Sequence, residues 1–290
     1  MSMCFQLLKA ETKRIFLSPH YLWIPAVLLG IHLIHSTGWI PVFNISWGSE
    51  FLDNTILLSI LISLSFSAYV LSDFTNKTIY NKIILGFSNT EIFFSMIVSF
   101  ALAASVLMVM DSLLFLIDEQ LQNVKTFVPF ASWATNTLIF SCSLVCVAII
   151  TGCISFIIPK KKTVFLCVLV AILFVNLGRI HTAELTAYYS LFSETYEETT
   201  GEAQDFMENY TVKPSPKLEH TLNAKICISP YAQCYFSSYA TLESLDEKKH
   251  HSLFFKEYPF HMEFIIADAI IVATILLTEL VLTTTIKRRK

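Results

Sequence analysis

Residues 92–117 and 134–158 are two long apolar stretches, and Asp111 is the one charged side chain between them. Each exceeds the roughly 20 residues that a helix needs to cross the hydrocarbon core of a bilayer. Lipid offers no water to backbone N–H and C=O groups, so such a stretch must pair them within itself, as an α-helix. Four further stretches share this character. Six spans are expected: Tyr21–Ile40, Asn54–Ser72, Ile92–Ile117, Ala134–Ile158, Thr163–Gly178 and Phe264–Ile286, the fifth short enough to borrow from its flanks. Charged residues make up 15% of the chain, against about 25% in soluble proteins. The expected fold is an all-α membrane protein with six transmembrane helices. It divides into a transmembrane part (1–178), an outside segment (179–262), and a sixth span with a basic tail (263–290).

Lys9, Lys13 and Arg14 before an apolar stretch resemble the start of a signal peptide, but the stretch begins late, contains Pro25 and ends without an A-x-A site. A retained first helix is expected. Residues 1–20 interleave Phe5, Leu8, Ile15 and Phe16 with the three basic residues. They read either as a helix lying in the membrane interface or as the positive flank of the first span.

Lys and Arg set orientation. With both termini in the cytoplasm, the inner segments hold Lys9, Lys13, Arg14, Lys77, Lys82, Lys160, Lys161, Lys162, Lys287, Arg288, Arg289 and Lys290, whereas the short outer loops hold only Lys125. The location expected is a bacterial plasma membrane, with a multi-pass chain whose termini both face inward. The long segment from Arg179 to Met262 is then extracellular, and it is acidic on balance. Within it Phe192, Tyr196, Phe206 and Tyr210 recur at helical spacing. Glu194, Glu197, Glu198, Glu202, Asp205 and Glu208 fill the positions between them, and Pro214 and Pro216 stop the pattern.

Catalytic signatures are missing. No phosphate loop, H-E-x-x-H or G-x-S-x-G occurs in the sequence. The chain is therefore not expected to be an enzyme, nor to hold a metal, a cofactor or nucleic acid. His32 and His35 share a helical face that could offer metal ligands, but their position near Trp39 and Trp47 points to the aromatic belt at the outer interface. The adjacent His250 and His251 read as solvated.

Three acids fall inside spans: Asp111, Asp268 and Glu279. Asp111 and Asp268 lie near the outer helix ends, where snorkelling accounts for them as well as a role in a substrate path does. Glu279 lies near the inner end, within reach of the Lys287–Lys290 cluster. Cys227 and Cys234 stand seven positions apart on the oxidising side. They close a disulfide only if the chain turns at Pro230, since two helical turns separate them otherwise.

Between spans two and three runs Asp73-Phe74-Thr75-Asn76-Lys77-Thr78-Ile79-Tyr80-Asn81-Lys82, followed by Gly86-Phe87-Ser88-Asn89-Thr90-Glu91-Ile92. This pattern resembles the permease subunits of type-2 ABC exporters. In that family an acidic-aromatic start leads to a Thr-Ile pair, a short helix and a Gly/Pro-x-Ser step into span three. Ser229-Pro230-Tyr231 before the last span extends the resemblance. Lys77 stands where the family often has Gly, Asn89 where it often has Arg, and Met96 where it often has Lys. The outside segment is also longer than usual.

The resemblance implies a permease that forms half of a translocation path. A separate cytoplasmic ATPase subunit would bind ATP and Mg, and a second permease, identical or homologous, would complete the path. It also implies that Thr78, Ile79, Tyr80, Lys82 and Ile83 couple this chain to the ATPase. The acidic outer segment suggests amphipathic or cationic peptides as cargo. For residues 73–91 the alternative is a polar linker that keeps spans two and three inside-facing; for the whole chain it is a non-transporting membrane sensor or immunity protein whose outer segment binds a ligand.

Overall fold

A computed structural model describes residues 3–36, 47–121, 130–197, 216–235, 264, 266–275 and 277. Among these the regular structure is all helical: α1 (Met3–Phe16), α2 (Pro19–Ser36), α3 (Trp47–Thr75), α4 (Thr78–Ile84), α5 (Asn89–Leu121), α6 (Phe130–Ile157), α7 (Lys161–Glu197) and α8 (Pro216–Cys227). A helical turn over 230–235 and an apolar helix, Ile266–Ile275, follow.

Among the described residues four helices are long and apolar enough to cross a membrane: Thr55–Thr75, Asn89–Ile117, Trp133–Ile157 and Lys161–Glu184. A fifth span arises if α1 and α2, bent by 48° at their junction, count as one. The expected sixth span is described only as Ile266–Ile275, which is too short by itself; Glu279 and the basic tail lie outside the described residues. The helix that carries the expected fifth span does not stop at Gly178: α7 continues without a break to Glu197. A single glycine in a helix interior costs only about 1 kcal/mol, and Ile180–Glu184 carries the helix on.

Local chemistry explains the breaks. Ser18 caps α2: its Oγ accepts from the Tyr21 amide at 3.3 Å and donates to the Ile15 carbonyl at 2.8 Å. Pro19 takes the first helical position, where a missing N–H is harmless. Lys77 starts α4 with a left-handed backbone, φ 59°. Gly86, φ 94°, ends it in a Schellman turn, with the Gly86 amide donating to the Ile83 carbonyl and the Phe87 amide to that of Lys82. Ser88 and Glu91 then form a capping box at the start of α5. The Ser88 amide donates to Glu91 Oε2 at 2.8 Å and the Glu91 amide to Ser88 Oγ at 3.2 Å.

The core joins α2, α3, α5 and α6. Phe66 of α3 stacks on Phe100 of α5 with centroids 4.3 Å apart, and Leu58, Ile62, Leu107, Phe140 and Leu144 are buried around them. Gly152 of α6 lets α5 approach: a Cβ there would collide with Ile97 Cδ1 and stand 3.2 Å from Phe100 Cδ2. Small residues at such crossings are how helices come close in lipid. Among the described residues one face of α7 is exposed, with Phe165, Leu173, Leu177 and Ile180 on it. Apolar side chains there suit a lipid surrounding.

A candidate coupling site at the α4 end

At one end of the bundle the inner face of α1, the end of α3 and the short helix α4 meet. On α1, Leu7, Glu11 and Ile15 form a buried stripe at helical spacing. Thr12 Oγ1 bonds Ser99 Oγ at 2.9 Å and ties α1 to α5. The helix is thus docked on the bundle along one face, while Phe5 and Leu17 remain exposed.

Four charged side chains meet in this junction. Lys82 Nζ of α4 lies 2.7 Å from Glu11 Oε1 and 3.4 Å from Asp73 Oδ2. Arg14 pairs with Asp73 Oδ2 and lies 3.6 Å from Glu11 Oε2. Tyr69 closes the group. Its hydroxyl accepts from Arg14 Nε at 2.6 Å and donates to Glu11 Oε2 at 3.5 Å, and its ring lies 5.0 Å below the guanidinium carbon. Glu11, Asp73 and Lys82 are all buried. Two carboxylates balance two cations, which a water-poor site requires.

This geometry sorts the expected coupling residues. Ile79 and Lys82 turn into the bundle and Thr78 is half-buried, so these three shape and hold α4. Tyr80 and Ile83 point outward with Ile84 and Leu85, which are 81% and 68% exposed. An apolar ridge therefore stands free on a helix anchored by buried charge. Sequence reasoning missed Glu11, Arg14 and Tyr69 as members of the site. The available signals were Glu11–Arg14 at i,i+3 and Tyr69–Asp73 at i,i+4 beside apolar blocks.

Of the three acids expected inside spans, Asp111 and Asp268 are buried in the bundle and Glu279 lies outside the described residues. Asp111 is fully buried, its Oδ1 3.1 Å from His32 Nε2, and His32 is buried with it. The partner that decides this lies on another helix, 79 positions away. Asp268 is likewise buried. No group of three or more His, Cys, Asp or Glu among the described residues could hold a metal ion.

Cys234 is a buried thiol and forms no disulfide with Cys227. The chain does turn before Pro230, but Gln233 Nε2 takes the Cys227 carbonyl at 2.6 Å and Cys234 faces Ser143 of α6. Of the acidic face, Glu194 and Glu197 belong to the end of α7, while Glu198, Glu202, Asp205 and Glu208 lie outside the described residues, as do His250 and His251.

Compared with protein-family models, curated proteins and solved structures, the chain matches none.

Proposed function

We propose that the chain is the membrane-spanning permease subunit of an ATP-driven ABC exporter, with α4 as the helix that engages a separate ATPase. The observation that carries this reading is the pairing of an exposed apolar ridge, Tyr80, Ile83, Ile84 and Leu85, with a buried charge network directly behind it. A polar linker needs neither. A short helix seated in a groove of a partner is an ordinary recognition mode. Lys82 and Glu11 would pass displacement of α4 to α1, and Asp73 and Arg14 would pass it to α3.

The full reading has six spans, both termini inside and an extracellular segment after the fifth span, in a bacterial plasma membrane. Six helices make half a path, so a second permease, identical or homologous, completes it. ATP and Mg bind the ATPase, and the acidic outer segment favours cationic amphipathic peptides as cargo.

The test is purification of the epitope-tagged chain from its native membrane, with and without a mild cross-linker, and identification of its partners by mass spectrometry. A Walker-motif ATPase should accompany the wild type and be lost with Ile84→Asp, which charges the most exposed apolar position of α4. If no such ATPase accompanies the wild type even after cross-linking, the exporter reading fails and the ligand-binding sensor takes its place.

A further inference from the structure

A second buried site lies where the last apolar helix meets α6 and the turn over 230–235. Asp268 is 3% exposed, and neither of its carboxyl oxygens accepts a hydrogen bond among the described residues. The fully buried Gln233 amide stands beside it without closing a bond. Gln233 Nε2 donates to the Cys227 carbonyl at 2.6 Å, and its Oε1 is unmet. Three buried acceptor oxygens on two neighbouring side chains thus lack a donor among the described residues. Among the described residues the other titratable groups near the carboxyl are the thiols of Cys142 and Cys146 on α6 and of Cys234 on the turn. No cationic side chain among the described residues faces it.

Acceptors cannot satisfy one another, and an ionised carboxylate without a donor is costly in an apolar interior. A metal ion is not the remedy, since no cluster among the described residues has the geometry to hold one. One proton is enough. A neutral carboxyl donates its O–H to Gln233 Oε1, and the amide hydrogen that Cys227 leaves unused can donate to the other carboxyl oxygen. Both side chains are then satisfied by a small closing movement.

We propose that Asp268 is a buried proton-binding site with Gln233 as its partner, and that the bound proton latches the last apolar helix to the turn after Pro230. Gly178 of α7 holds that turn from behind, since a Cβ there would stand 2.7 Å from Tyr231 Cβ and 3.1 Å from the Ala232 amide nitrogen. The latch is closed at acid pH and loosens as the pH rises and the carboxyl ionises. The inference rests on this geometry and is independent of the exporter reading.

Infrared difference spectroscopy of the purified full-length chain in lipid nanodiscs, stepped between acid and alkaline pH, reads the protonated carboxyl stretch directly. The wild type should show a band that is lost as pH rises. That band should be absent from Asp268→Asn and displaced in Gln233→Leu, which removes its hydrogen-bond partner. Asp111→Asn should leave it in place. Identical spectra for wild type and Asp268→Asn at every pH would overturn the proposal. So would a band that appears only when sodium and potassium are withdrawn, because a cation would then be the natural occupant. Asn reproduces the shape of the neutral acid, so Asp268→Asn should match the wild type in thermal stability at acid pH and exceed it at alkaline pH. A variant equally destabilised at both would also count against the latch.

Discussion

Lys82 Nζ of α4 lies 2.7 Å from Glu11 Oε1 of α1, so the short helix is fastened to the N-terminal helix through a buried ion pair. Removing one partner strands the other's charge, which typically costs about 3–5 kcal/mol in a buried pair. Lys82→Met should therefore lower the thermal stability of the detergent-solubilised protein markedly. Glu11→Gln/Lys82→Met keeps the remaining Arg14 and Asp73 in balance and should recover much of the loss. A double variant no better than the single one would show that the pairing contributes little.

Lys77 opens α4 at φ 59°, a conformation that costs a residue with a Cβ roughly 1–2 kcal/mol. Lys77→Gly should raise the melting temperature slightly. Gly86, at φ 94°, ends the same helix, and Gly86→Ala should lower it. Thermal melts of both variants check the pair of signs; a loss with Lys77→Gly would mean that the lysine side chain contributes something beyond backbone geometry.

Two glycines should respond differently to one added methyl group. At Gly152 the obstacle is the flexible end of Ile97, which can turn away. At Gly178 it is Tyr231 Cβ and the backbone nitrogen of Ala232, which cannot. Gly178→Ala should therefore destabilise by about 1–3 kcal/mol, as overpacking does, and Gly152→Ala by less. Equal losses in denaturation measurements would contradict this packing.

Orientation is testable by labelling. In a background with Cys4 and Cys227 changed to Ser, cysteines at Lys161 and Lys290 should react with an impermeant reagent only after permeabilisation. One at Glu198 should react in intact cells. The asymmetry of Lys and Arg across the loops is the basis. Labelling at Lys161 in intact cells would reverse the topology.

The cargo proposal predicts a salt effect. Replacing Glu194, Glu197, Glu198 and Glu202 by Gln should weaken export of cationic peptides, measured as export rate or resistance, and more so at low salt. Exposed charges are screened over about 8 Å at physiological ionic strength. A variant equal to wild type at both salts would leave the acids with a solubilising role only.

Periodicity and local chemistry made the helices legible. Apolar length marks 92–117 and 134–158, Ser18-Pro19 marks a helix start, and Ser88 with Glu91 marks another, because each signal lies within a few residues along the chain. The same locality limits the reading. Asp111, near a helix end, reads equally well as a snorkelling acid or a substrate-path residue; its partner His32, 79 positions away, meets it only once α2 packs on α5. Lys82 is expected in sequence as a coupling residue, but that it is held inward by Glu11 and Asp73 emerges only when α1 and α3 pack beside α4. A buried charge is settled by its partner, and that partner is chosen by helix packing.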